Sequence, residues 1–161
     1  MTISVGDKLP EATFTTMTSE GPMPLTSGDL TAGRKVVLFA VPGAFTPTCH
    51  MKHLPGFLAN AEAIKAKGVD TIACVSVNDI FVMDAWSKQS GGDGKVMFLA
   101  DGNAEFTTAI GMDLDASGFG MGTRSTRYAM VIDDGRVTSL HIEPQAGQAE
   151  QSSAEVILEE L

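Results

Sequence analysis

The chain has 161 residues, a hydrophobic share of 43%, and 20 acidic against 11 basic side chains for a net charge of −9 at pH 7. That length suits a single domain spanning 1–161 with a sizeable core, and the acidic balance excludes a surface that follows a phosphate backbone, so nucleic acid is not expected as a partner. No apolar run approaches the roughly 20 residues that a bilayer span needs, which leaves no expected membrane partner.

Residues 1–7 show neither a basic stretch nor an apolar core of the kind that directs secretion, so the expected location is cytoplasmic. The two cysteines, Cys49 and Cys74, have no CxxC spacing and make no disulfide scaffold. With three histidines they show no ligand spacing either, so no metal or cofactor site is expected. Two thiols in a reducing compartment point to redox or nucleophilic chemistry.

Taken in order, residues 12–16 and 23–24 read as short extended segments around the turn Gly21-Pro22, followed by a helical turn at 27–30. Lys35-Val36-Val37-Leu38-Phe39-Ala40 is the strongest strand signal, β-branched and aromatic throughout. Pro42-Gly43 breaks it. Thr46-Pro47 then reads as a helix start, with Thr46 as N-cap and Pro47 at the first helical position. A helix is expected over 49–67, ended by Gly68, with an apolar stripe of Leu54, Phe57, Leu58, Ala61 and Ile64. Pro55 lies inside that helix and is expected to kink it.

The run Ile72-Ala73-Cys74-Val75-Ser76-Val77 reads as a buried central strand within 69–77. Asn78-Asp79 caps a helix running to about Ser90. A strand at 96–100, a short helix at 104–110 and a loop over 111–125 follow. Tyr128–Ile132 and 136–142 make a hairpin about Asp133-Asp134-Gly135, and Ser152-Ser153-Ala154-Glu155 reads as a capping box opening the last helix. The alternation of strands and helices, closed by a hairpin and a helix, predicts an α/β fold: a mixed central sheet flanked by helices, with a thioredoxin-like layout.

Cys49 falls in the first turn behind the Thr-Pro start. A helix N-terminus and a nearby cation both favour the thiolate, which is the reactive form of cysteine. A buried inert thiol is the ordinary fate of an intracellular cysteine, but a core cysteine has no reason to sit behind a helix start. The cation should be an arginine, always charged and planar, and both Arg124 and Arg127 lie just ahead of the strand at 128. Thr46, three residues before Cys49, places a hydroxyl where it can reach the sulfur.

The segment Pro42-x-x-x-Thr46-x-x-Cys49 resembles the active-site signature of the peroxiredoxins, and VPGAFTPTCHMKHLPGF (Val41 to Phe57) resembles their type II subfamily. The likeness continues through CVSVNDIFVMDAW, FLADG, GTRSTRYAMVIDDG and SSAEVIL. It implies a thiol-dependent peroxidase that reduces hydrogen peroxide and alkyl hydroperoxides, with Cys49 passing through a sulfenic acid. It also implies Thr46 as a donor to sulfur and peroxide, Pro42 as the shield of the pocket, and Arg127, immediately ahead of the aromatic Tyr128, as the site cation. Arg124 is the second candidate, more naturally a supporting residue. The resemblance further implies a homodimer formed through the active-site face, and glutathione with glutaredoxin, or thioredoxin, as reductant.

Three other readings stay open at this point. A thiol–disulfide oxidoreductase would use the same fold but lacks CxxC. A peroxide sensor or chaperone-like module would oxidise Cys49 with poor turnover. A Cys–His hydrolase would need His53, one turn after Cys49, whereas His50 is adjacent and points elsewhere. Cys74 is either a resolving thiol or, as its apolar strand favours, an inert buried one. The chain has no cysteine beyond Cys74, which favours a one-cysteine cycle closed by an outside thiol.

Overall fold

The computed structural model describes residues 1–161. The elements in chain order are β1 (Thr13–Thr18), β2 (Gly21–Thr26), α1 (Ser27–Thr31), β3 (Lys35–Ala40), a π-helical turn at Cys49–His53, and α2 (Leu54–Ala66). They continue with β4 (Thr71–Ser76), α3 (Ile80–Ser90), β5 (Met97–Ala100), α4 (Glu105–Ala109), β6 (Asp113–Asp115), a 3-10 turn at Ser117–Phe119, and β7 (Thr123–Ser125). The chain ends with β8 (Tyr128–Asp133), β9 (Arg136–Ile142) and α5 (Ala154–Glu160).

Seven strands form one mixed sheet in the order β2-β1-β5-β4-β3-β8-β9. The centre, β5-β4-β3, is parallel, and β8, β9, β1 and β2 add antiparallel strands on either side. The two prolines of β2, Pro22 and Pro24, sit on an outer strand, where a missing ladder donor is tolerated.

The central strands are buried on both faces, and alternate residues serve opposite layers. Val37, Phe39, Ile72, Cys74, Ala129 and Val131 pack with Leu54, Phe57, Ile64, Met83, Trp86 and Ile157 on one side. Val36, Leu38, Ala73, Val75, Tyr128 and Met130 pack with Phe14, Leu30, Phe106 and Ile110 on the other. Phe39 stacks on Phe57 with ring centroids 4.0 Å apart, which pins the start of α2 to the end of β3. This is the α/β architecture expected from the sequence.

Three local expectations need correction. The segment after the active loop is not one kinked α-helix over 49–67. Pro55 has no N–H and its ring would strike a carbonyl four residues back, so the preceding turn widens. Residues 49–53 are π-helical, the Leu54 N–H donates to the Cys49 carbonyl, and Pro55 falls in the first turn of α2. The stretch 111–125 is not simply a loop: β6 and β7 pair across it, Leu114 opposite Arg124.

The short helix after β5 takes its N-terminal donors to Asp101, whose carboxylate accepts from Phe106 N, Thr107 N and Thr107 Oγ1. Finally, α5 is capped by Ser153, whose hydroxyl accepts from Val156 N, and not by Ser152. Ser152 is fully buried and bonded to Glu143.

Candidate active site

The register of the sheet assembles the site. β3 and β8 run antiparallel with Ala40 opposite Tyr128, so Arg127, one residue before β8, lies beside the loop that follows β3. That loop is held from below by β4: Val41 N donates to Val75 O, and Ala44 N donates to the side chain of Asn78, just beyond β4. A side chain at Gly43 would crowd its neighbours. A Cβ there would lie 3.0 Å from Thr46 Cγ2, 3.3 Å from Arg124 Nη1 and 3.4 Å from Met121 Cε.

Thr46 stands immediately ahead of helical backbone that begins at Pro47. Its hydroxyl is not a cap in the sense expected, since no helix N–H donates to it. The Thr46 Oγ1 instead lies 2.6 Å from Gly43 O and 2.9 Å from Cys49 Sγ. One hydroxyl has one proton for these two partners, so it can turn toward the sulfur or toward whatever approaches it. The first-turn N–H groups of Thr48 and Cys49 lack acceptors within the helix by their position. Pro42 is buried at the base of the loop.

Arg127 is 2% exposed. Burying a guanidinium costs several kcal/mol unless its protons are paired. Here Nε and Nη2 donate to Ala146 O at 3.1 and 3.0 Å, Nη1 donates to His53 Nδ1 at 3.0 Å, and Nη2 donates to Cys49 Sγ at 3.0 Å. Neither salt bridge of the molecule includes Arg127. The sulfur of Cys49, itself fully buried, is the remaining partner of that guanidinium.

His53 is also buried, and its role differs from a catalytic base. With Nδ1 accepting from Arg127, the ring proton sits on Nε2 and is donated to Ser152 O at 2.9 Å. Burial and then the Arg127 charge lower its pKa to about 4, against the opposing pull of the Ser152 carbonyl and Glu143. A histidine held neutral with its free lone pair spent on an arginine is not positioned to take a proton from Cys49, which weighs against hydrolysis. His50 turns away, as expected, its Nδ1 accepting from Trp86 Nε1 at 3.0 Å.

Arg124 makes no hydrogen bond to the sulfur. Its Nε donates to Met121 O and its Nη1 to Val77 O, bracing two loops around Gly43. Cys74, on β4, is fully buried between Phe39 of β3 and Phe98 of β5 in register. Burial, followed by the charge of Cys49, pushes its thiol pKa well up. No group of three or more His, Cys, Asp or Glu side chains comes together as a metal site, and no helix is long and apolar enough to cross a membrane.

Of the residues singled out from sequence, the structure brings Thr46, Cys49 and Arg127 into contact, and Pro42 is buried earlier in the same loop. Sequence reasoning missed the supporting set: the Ala146 carbonyl, the Ser152 carbonyl, and Glu143. Only the Ser-Ser pair at 152–153 carries a signal in the sequence, and that signal is of a helix cap.

The pattern of the redoxin family matches residues 4–158. The chain is 54% identical over 165 residues to a chloroplastic peroxiredoxin-2E-2 of Oryza sativa subsp. japonica, covering 99% of this chain and 73% of the relative. It is 48% identical over 160 residues to peroxiredoxin-2B of Arabidopsis thaliana, covering 99% and 98%. Among solved structures, reduced Prx3 of Vibrio vulnificus in complex with hydrogen peroxide superposes with a TM-score of 0.93 at 52% identity, covering 98% of each chain. The chain therefore belongs to the redoxin family, as a type II peroxiredoxin of thioredoxin-like fold, and is a thiol-dependent peroxidase.

Proposed function

We propose that Cys49 is the peroxidatic residue, with Thr46 and Arg127 as its catalytic partners, and that hydrogen peroxide and alkyl hydroperoxides are its substrates. The observation that carries this is the convergence of Thr46 Oγ1 and Arg127 Nη2 on one sulfur, at 2.9 and 3.0 Å. The Cys49 thiolate attacks one peroxide oxygen. An S–O bond forms, the O–O bond breaks, and the leaving oxygen departs as water or an alcohol after taking a proton. Sulfur is oxidised to the sulfenic acid as the peroxide is reduced by two electrons.

Negative charge spreads over sulfur and both oxygens during the transfer. A fixed guanidinium and a rotatable hydroxyl suit it because they need no reorganisation as the charge moves. Pro42 closes the base of the pocket. The relative from Vibrio vulnificus, whose structure contains hydrogen peroxide, supports the smaller substrate.

The cycle is completed by an outside thiol, glutathione with glutaredoxin or thioredoxin. Its sulfur attacks the sulfenic sulfur, releases water and leaves a mixed disulfide that a second thiol reduces. What supports a one-cysteine cycle is the place of Cys74 in the middle of a strand, with its thiol pKa raised by burial. Phe45, Met51, Phe81 and Phe119 are exposed large apolar residues on the active loop, the helical turn, α3 and the 3-10 turn. They support a homodimer through the active-site face. The proposed location is cytoplasmic, although relatives include chloroplastic forms.

Steady-state peroxide consumption by wild type, Cys49→Ser and Cys74→Ser, with each reductant system in turn, tests this reading. The expected result is loss of activity in Cys49→Ser alone, with the faster system naming the reductant. Stalling of Cys74→Ser after one turnover would make Cys74 the resolving thiol instead.

A further inference from the structure

The segment 143–152, between β9 and α5, turns three of its carbonyls toward the site. Ala146 O accepts two hydrogen bonds from Arg127, Gly147 O accepts from Thr48 Oγ1 at 3.0 Å, and Ser152 O accepts from His53 Nε2 at 2.9 Å. Such a strap places three acceptors accurately only if its two ends are fixed to one another. Loose, it would present them in many arrangements and lose the preorganisation that a charge-stabilising site needs.

Glu143 fixes them. It is 5% exposed and its backbone N–H donates to Arg127 O at 2.9 Å, extending the β8–β9 ladder by one bond. Its carboxylate reaches across to the far end of the strap. Oε2 accepts from Ser152 N at 2.6 Å and from Ser152 Oγ at 2.5 Å, and Oε1 accepts from Gln151 N at 3.2 Å. No cation pairs with it. Burial raises its pKa, but the Ser152 hydroxyl and the N–H groups of residues 150–152 outweigh that and lower it, so the carboxylate stays ionised at neutral pH. An ionised carboxylate can serve as acceptor for every one of these donors, which a neutral amide cannot.

We propose that Glu143 is a positioning residue for peroxide reduction: its carboxylate clasps the two ends of the 143–152 strap, and so holds the carbonyls that orient Arg127 and His53 behind Cys49. The inference rests on the assignment of Cys49 and Arg127 above. Glu143 acts through the chain Ser152 O, His53, Arg127 and never touches sulfur or peroxide itself. The Ser152 carbonyl fixes the His53 tautomer, and that tautomer leaves Nδ1 free to accept from Arg127.

The test is the rate of Cys49 oxidation by hydrogen peroxide in Glu143→Gln, His53→Leu and the double variant, with Cys49→Ser and Arg127→Ala as references. In Glu143→Gln one amide N–H must face a backbone donor, and the rate constant is expected to fall about tenfold. Added to His53→Leu, the same change is expected to cost much less, because the two act through one path. His53→Gln, whose amide can accept from Arg127 and donate to Ser152 O, is expected to recover most of the loss in His53→Leu.

Alkylation by iodoacetamide separates positioning from simple loosening. Loosening would expose Cys49 and speed its alkylation, whereas positioning predicts slower peroxide reaction without faster alkylation. Should Glu143→Gln fail to fold, Ser152→Ala removes one donor of the clasp and is expected to slow the peroxide reaction by about threefold. An unchanged peroxide rate, full additivity with His53→Leu, or faster alkylation would each overturn the proposal while Cys49→Ser and Arg127→Ala still behave as expected. Peroxide reactivity surviving in Cys49→Ser would instead overturn the site assignment beneath it.

Discussion

Cys49 and Cys74 are both free, both fully buried and both part of the same side of the core, yet their surroundings set them up for opposite fates. Cys49 stands at a helix start, where Thr46 and Arg127 supply a hydroxyl and a cation within 3.0 Å of its sulfur. Cys74 stands in the middle of a strand with Phe39 and Phe98 beside it in register, and burial there pushes its thiol toward the protonated form. On the proposed assignment of Cys49, burial alone does not make a cysteine inert. What decides is whether buried donors and a buried cation meet the sulfur.

The contrast can be broken at several points, beginning where the effect is largest. Arg127→Ala removes the one cation on Cys49 and leaves the Ala146 carbonyl and His53 Nδ1 without their donor. Peroxide oxidation of the variant, followed by rapid mixing, is expected to slow by about 10² to 10³, the scale of losing one preorganised donor. Arg124→Ala is expected to slow it by less than about tenfold, since Arg124 braces carbonyls of Met121 and Val77 rather than the sulfur. Equal effects from the two arginines would contradict the account. Thr46→Val keeps the shape of the side chain but removes the hydroxyl, with its contacts to Gly43 O and Cys49 Sγ, and a loss of about 10- to 100-fold in the same assay is expected.

A smaller effect follows from His53, whose pKa drops from 6.5 to about 4 on folding. Between those values the unfolded chain binds the proton more readily than the folded one, so stability falls as pH is lowered through this window. The slope from this one group approaches about 1.4 kcal/mol per pH unit. Denaturant midpoints at pH 7, 6 and 5 are expected to fall, with the decline weakened in His53→Gln. A flat profile would remove the neutral His53 from the account.

Much of this contrast is legible in the sequence, and the reasons are local. The β-branched run at 35–40 and the Thr46-Pro47 start place Cys49 at a strand-to-helix junction, because strand and cap signals both depend on near neighbours. Cys74 sits in an uninterrupted apolar run, the mark of a strand buried on both faces. The widening at 49–53 is not legible: Pro55 announces that an ordinary helix cannot pass, but not whether the chain bends or widens. β6 and β7 have three residues each, too few to carry an alternating pattern.

Spacing alone leaves Arg124 and Arg127 both open and the resemblance favours Arg127; the physical reason is the pairing of Ala40 with Tyr128, a contact across 88 residues. His53 and Ser152 likewise meet from 99 residues apart. The Ser-Ser pair of residues 152 and 153 shows the limit well. Its composition correctly announces a helix start, yet which serine caps α5 and which turns inward to Glu143 depends on a carboxylate nine residues back.

The most direct test of the central claim is the mass of the reduced protein, and the site of modification, after one equivalent of hydrogen peroxide and without any reductant. The account predicts a gain of about 16 Da on Cys49, the sulfenic acid, with Cys74 unmodified. A loss of about 2 Da would mean a Cys49–Cys74 disulfide and would contradict the inert reading of Cys74. Unmodified Cys49 with the peroxide still present would contradict the account at its root.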